Sequence, residues 1–115
     1  MMDPSVLCLA ITILAGDGTL KLSDEGIRVA CENSHHIVEY SFEQNLEPEL
    51  IAALIYTESR FTPNAVSRAG ACGLTQVLPQ YSRPKMTCKQ LQDPENSIKA
   101  GTIALNYWKT KRKKK

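Results

Sequence analysis

Residues 58–79 read ESRFTPNAVSRAGACGLTQVLP, and their order of parts decides what the rest of the chain must build. One carboxylate, Glu58, comes first, at the end of a strongly apolar helical run. Pro63 and Asn64 then stop the helix and turn the chain. Gly70 and Gly73 bracket Ala71 and Cys72, permitting positive φ and close approach of another backbone or a sugar ring. Leu74 to Leu78 has room for about one and a half helical turns before Pro79 ends them. Gln76 is the one strongly polar side chain in that piece. These parts suit a saccharide-cleaving site built on a single acid.

The helix before the turn, PELIAALIYTESRF over residues 48–61, starts with a proline at the first helical position and an acid in the first turn. Ile51, Leu54, Ile55 and Glu58 fall at i, i+3, i+4 and i+7, so the acid shares a face with the apolar stripe. Low hydration and the negative end of the helix dipole both favour the neutral carboxyl, as a general acid requires. A second reading stands beside this one: a helix-end glutamate that swings into solvent or pairs with Arg60 or Arg68. Gln76 and Ser67 likewise have two readings, as hydrogen-bonding partners of a sugar or as caps of neighbouring backbone.

At these residues the chain resembles the lytic transglycosylase family, with its soluble-lytic-transglycosylase-like catalytic domain. The family pattern is a helix ending in Glu-Ser, an aromatic two residues on, Pro, Ala-x-Ser, then Gly-Ala-x-Gly-Leu-Met-Gln and a Pro. Glu58-Ser59, Phe61, Pro63, Ala65, Ser67, Gly70-Ala71, Gly73-Leu74, Gln76 and Pro79 match it without a gap. Thr75 stands where the family usually has methionine. Further on, Asp93-Pro94-Glu95, Ile98, Gly101 and Leu105 resemble the family's Asp-Pro-x-x-Asn-Ile-x-x-Gly segment, with Ser97 in the asparagine slot and Asn96 one place early. The resemblance covers about residues 46–108. It implies a mainly α, lysozyme-like fold of the goose-type lysozyme and lytic transglycosylase kind. It also implies that Glu58 is the catalytic acid and base and that Ser67, Gln76, Gly73 and Leu78 line the saccharide cleft. The implied substrate is peptidoglycan glycan strands, cleaved between N-acetylmuramic acid and N-acetylglucosamine with closure of a 1,6-anhydro ring, and no cofactor or metal is implied. The family's later Ala-Tyr-Asn-x-Gly segment has no counterpart, so the domain is expected to be short at its C-terminal end. Tyr56, Tyr81 and Tyr107 are not in that motif and inherit no role from it.

Composition sets wider bounds. A chain of 115 residues is one domain, burying roughly 60–65% of its surface. Six of its 14 basic residues lie in the last seven, so residues 1–108 carry eight basic against twelve acidic side chains, a net −4. The basic tail is expected to be a solvated, irregular end; holding an anionic surface is its other use. No nucleic acid partner is expected. Cys8, Cys31, Cys72 and Cys88 show no Cys-x-x-Cys pair and no histidine at zinc spacing, which argues against a metal. Cys72 and Cys88 flank the loop after the elbow and would pair in an oxidising compartment; buried free thiols are the alternative. His35-His36 carries no expected chemistry.

Residues 1–16 contain an apolar run too short to span a membrane, without the positive n-region of a signal peptide. Asp3, Pro4 and Gly16 suit the ends of a retained helix. Residues 24–44 pattern as one long or two short amphipathic helices, and Asp93-Pro94 opens a last helix with Ile98, Gly101, Leu105 and Trp108 on its inner face. The expected division is thus an N-terminal helix or uncleaved signal-like segment (1–16), a transglycosylase domain (17–108) and a basic tail (109–115). The expected setting is export to the periplasm or cell envelope, or attachment to a virion, with an envelope-spanning or virion assembly as partner. Two rivals remain: a lysozyme-like hydrolase on the same scaffold, and a non-catalytic wall-binding or assembly module.

Overall fold

A computed structural model of the chain describes the backbone of residues 1–113 and the side chains of residues 1–111. Six α-helices follow one another: α1 (Pro4–Gly16), α2 (Asp24–Glu32), α3 (Ser34–Glu43), α4 (Pro48–Ser59), α5 (Cys88–Leu91) and α6 (Pro94–Lys113). The described residues contain no strand longer than an isolated bridge. The architecture is mainly helical, as the sequence indicates. Asp3 and Asp93 each accept a backbone N–H of their helix's first turn, from Ser5 at 2.9 Å and Asn96 at 3.1 Å, which explains both Asp-Pro starts. Residues 24–44 form two helices rather than one, broken at Asn33.

Helix α3 is the hub, packing against α1, α2, α4 and α6. Its buried face alternates large and small side chains: Ile37 and Val38 fill the core, while Ser34 and Ser41 let neighbours approach closely. Leu7 and Ile11 of α1, Val29 of α2, Ile51 and Ile55 of α4, Phe61, Leu74 and Ile98 complete one continuous apolar cluster. A smaller cluster of Cys72, Val77, Leu91 and Ala100 lies beside it.

Two disulfides staple these parts. Cys8–Cys31 joins α1 to α2, and Cys72–Cys88 joins the elbow to α5. The second is the pairing left open by the sequence; the first was not foreseen, because helical neighbours 23 residues apart carry no spacing signal. In the chain-entropy account, closing loops of this size contributes about 3 kcal/mol each.

The segment after the elbow differs from expectation. Leu74 to Leu78 is not helical. Gly73 to Gln76 form a tight turn, with Cys72 and Val77 paired across it by N–H···O bonds of 3.0 and 3.3 Å. Gly73 and Gln76 both have positive φ, +84° and +55°, which no α-helix tolerates. Pro79 does not end a helix but opens a short 3₁₀ turn over Pro79–Tyr81.

This turn is locked onto α6. The Thr75 N–H donates to Ser97 Oγ at 3.0 Å, and Thr75 Oγ1 donates to the Ser97 carbonyl at 2.8 Å. A Cβ on Gly101 would fall 2.5 Å from the Thr75 side chain, and one on Gly73 would fall 2.8 Å from Ser97 Oγ of α6 and 2.0 Å from the Leu91 carbonyl oxygen of α5. The turn and the helix therefore meet at a distance only glycine allows on both sides. Trp108, expected on the inner face of α6, is instead 58% exposed, while Ile98 and Gly101 are buried. Residues 109–113, expected to be irregular, continue α6; residues 114 and 115 of the basic stretch lie outside the described residues.

A clasp holds α3 to α6. Tyr40 Oη donates to Glu95 Oε2 at 2.7 Å, with His36 Nδ1 3.9 Å from the same oxygen. The hydrogen bond from Tyr40, aided by His36, holds the Glu95 carboxyl below its ordinary 4.5, and the same bond pushes the Tyr40 phenol from 10.0 up to about 12. A depressed acid stabilises above its unfolded value and loses that as pH falls; a raised phenol stabilises below its unfolded value and loses that as pH rises. Wild-type stability relative to Tyr40→Phe is therefore expected to be flat between pH 4.5 and 10, shrinking on either side. Urea denaturation across pH checks this; a pH-independent difference would contradict the clasp. At the turn, Ser97→Ala strands the buried Thr75 N–H and is expected to cost about 1–3 kcal/mol. Gly101→Ala is expected to cost a similar amount through overpacking, about 1–3 kcal/mol, by the same measurement.

Candidate active site

The stripe on α4 divides between two environments. Ile51 and Ile55 are fully buried, whereas Leu54 and Glu58, one turn apart, face an open cleft of about 1150 Å³. The cleft runs between α4, the 73–76 turn, the 79–85 segment and the outer face of α6. Glu58 is the one carboxylate among the described residues that line it. Glu58 is exposed, so the dry setting that the apolar stripe suggests is not found. The competing reading holds in its solvent-facing form, while the pairing with Arg60 or Arg68 is not found among the described residues. Arg60 donates to the Lys21 carbonyl at 2.9 Å and lies over the Tyr56 ring at 5.0 Å. Ion pairs among the described residues involve Glu25, Glu32 and Glu95, not Glu58.

The backbone just beyond Glu58 explains how the acid is held. Arg60 and Phe61 are both left-handed, with φ of 51° and 60°. Two successive non-glycine residues in that region cost on the order of 1–3 kcal/mol each. Phe61, 2% exposed, is anchored in the core and offsets that cost. Ser59 adds a direct tie: its hydroxyl is 2.8 Å from the Leu74 carbonyl and 3.2 Å from that of Ile55. The residue next to the acid thus fixes the end of α4 to the facing turn. The sequence match includes Ser59 but gives no hint of this link, because its partner is 15 residues away.

Of the residues expected to line the cleft, Gln76 and Leu78 join Glu58 there, whereas Ser67 and Gly73 do not. Ser67 Oγ accepts the Ala71 N–H at 3.1 Å, closing its own loop. Gly73 is buried against Leu91 and Ser97. Gln76 takes the backbone-capping one of its two readings. Its Nε2 donates to the Ala65 and Gly73 carbonyls at 3.0 and 2.8 Å, which uses both amide hydrogens and leaves Oε1 as the acceptor available to a ligand. Thr75, in the methionine position of the resembling pattern, also lines the cleft while bonded to Ser97.

Several cleft residues were not singled out by sequence. Tyr81, Tyr107 and Trp108 are more than half exposed, and Tyr107 and Trp108 meet edge to face at 5.7 Å. Exposed aromatic faces stack on the apolar faces of pyranose rings; the helical period of the last helix, which places Trp108 inward, gave no signal of it. Gln80 and the cations Arg83 and Lys85 complete the edge opposite α6. Among the described residues no group of three or more His, Cys, Asp or Glu is placed to hold a metal ion.

Residues 36–114 match the family described as the Transglycosylase SLT domain, a stretch that takes in every residue of this cleft. The membrane-bound lytic murein transglycosylase C of Yersinia pestis (strain Pestoides F) is 43% identical over 72 residues, covering 53% of this chain and 20% of that protein. The protein of the same name from Yersinia pseudotuberculosis serotype O:1b (strain IP 31758) matches equally well. The chain thus spans about one fifth of the length of these curated relatives. With the family match covering most of its length, and with a helical fold carrying the acid at the end of α4, the chain belongs to the Transglycosylase SLT domain family of lytic transglycosylases.

Proposed function

We propose that this chain cleaves peptidoglycan as a lytic transglycosylase, with Glu58 as its one acid and base. The observation that carries the reading is the solitary carboxylate, among the described residues, in a cleft otherwise lined by apolar, hydroxyl, amide, aromatic and cationic groups. Hydrolysis of a glycoside ordinarily needs two carboxylates, one as acid and one as nucleophile or base for water. A cleft with one acid suits a substrate that brings its own nucleophile. On this reading Glu58 gives its proton to the glycosidic oxygen between N-acetylmuramic acid and N-acetylglucosamine, and the bond from that oxygen to the muramoyl C1 breaks. The carboxylate then takes the proton of the muramoyl 6-hydroxyl, O6 bonds to C1, and Glu58 is protonated again. No water is consumed, and the internal attack benefits from high effective molarity.

The surrounding groups support the assignment. Gln76 Oε1 and the exposed aromatic rings offer the polar and stacking contacts that a polysaccharide uses. A glycan filling the cleft displaces water from the exposed Glu58, supplying at binding the low hydration that a general acid uses. Two disulfides suit an oxidising compartment, consistent with export to the cell envelope where the substrate lies. No described helix is long and apolar enough to cross a membrane. On the same reading the working unit takes in α1 as well as residues 17–108, since Leu7 and Ile11 are part of its core.

Mass spectrometry of purified peptidoglycan digested by the chain and by Glu58→Gln tests the assignment. The expected products are muropeptides lighter by one water than hydrolytic ones. Their rate of formation should drop at least about 10²-fold in the variant while its thermal unfolding is unchanged. Products carrying the added water would instead make the chain a lysozyme-like hydrolase. No products from either protein would replace the enzyme by a wall-binding module.

A further inference from the structure

The charges in the cleft are distributed in a way that single-acid chemistry does not require. Its described lining carries three formal charges: Glu58 on α4, and Arg83 and Lys85 on the segment that follows the 3₁₀ turn. The body of the chain is net acidic over residues 1–108, yet neither cation is in an ion pair among the described residues. Two like charges held two residues apart repel, so their placement contributes nothing to the fold on its own account.

The loop that carries them is nevertheless a built one. Ser82 is buried, 5% exposed; its hydroxyl is 3.1 Å from the Pro79 carbonyl and accepts the Met86 N–H at 2.8 Å, closing the loop at its base. A capping box between Thr87 and Gln90 and the Cys72–Cys88 disulfide fix the chain immediately after it. Lys85 Nζ donates to the Gln80 carbonyl at 2.8 Å, which steadies the ammonium and leaves two of its three donors free. Tyr81, 73% exposed, stands at the start of the same loop with its ring open to the cleft.

We propose that Arg83 and Lys85 are a carboxylate-reading edge of the Glu58 cleft, which makes the chain select glycans bearing an anionic substituent over uncharged ones. The inference rests on the reading of the cleft as a glycan site. With a pyranose stacked on Tyr81, a carboxylate on a substituent of that sugar lies within reach of the guanidinium fork and the free ammonium donors. In peptidoglycan such a carboxylate comes from one of two sources, the bare lactyl group of muramic acid or the peptide attached to it.

The test is equilibrium binding, by calorimetry at low and at high salt, of full chains carrying Glu58→Gln so that no ligand is consumed. The ligands are peptide-bearing glycan strands, strands stripped of peptide with free lactyl carboxylates, and an uncharged N-acetylglucosamine oligomer of equal length. The anionic strands are expected to bind roughly five- to tenfold more tightly than the neutral oligomer, an advantage of the size that two exposed charge pairs supply. Salt should erode that advantage, and Arg83→Gln with Lys85→Gln should abolish it without changing affinity for the neutral oligomer. Whichever anionic strand loses more affinity in the double variant names the source of the carboxylate. Equal binding of all three ligands, or an advantage that survives the double substitution, overturns the proposal. Loss of affinity for the neutral oligomer as well overturns it too, since the two side chains would then be shaping the cleft rather than reading charge. Because nothing is cleaved in this assay, charge selection that persists in a chain forming no anhydro product would defeat the enzymatic assignment alone.

Discussion

The cleft depends on a contact in which there is no room for a side chain. Gly73 and Gly101 face the Leu91 carbonyl and the Thr75 side chain at separations that a methyl group could not occupy. Thr75 and Ser97 convert that proximity into three mutual contacts of 2.8–3.0 Å. Removing a hydroxyl there leaves a buried donor without a partner, whereas adding a carbon anywhere pushes the turn away from α6. One wall of the cleft is the turn and another is α6, so the width of the cleft is set at this joint.

The second determinant is the abrupt end of α4. A glycine would ordinarily take the left-handed position after a helix; here Arg60 and Phe61 occupy it in succession. Burial of Phe61 and the stacking of Arg60 on Tyr56 hold the chain in that path. Glu58 is consequently left on the last turn of a rigid helix, with Ser59 binding that turn to the opposite wall. The backbone that carries Glu58 is thereby tied to the turn that carries Gln76.

How far the sequence reveals this arrangement depends on the range of the interactions. Helix starts at Asp3 and Asp93, the stripe of α4 and the position of Glu58 are local and were legible. Leu74 to Leu78 reads as helical because its apolar spacing fits helix and turn alike; the left-handed φ of Gln76 and the pairing of Cys72 with Val77 make it a turn. Ser67 and Gly73 were assigned to the cleft through resemblance, but their bonding partners turn them to the structure of the loop instead. Trp108 followed the helical period of α6, yet its position along the helix exposes it in the cleft. Most telling are Thr75 and Ser97, two separate departures from the family pattern 22 residues apart. They prove to be one bonded pair, a relation that pattern matching cannot express.

The arrangement of the two disulfides has a consequence for how the molecule is made. Four cysteines allow three pairings, and this chain uses the one in which each cysteine joins the next along the sequence. Neither loop encloses the other, so each bond can close without waiting for distant chain. A polypeptide delivered N-terminus first to an oxidant would present Cys8 and Cys31 together long before Cys72 appears. Native connectivity is then also the kinetically first connectivity, and the chain reaches it without the reshuffling that crossed or nested bridges demand.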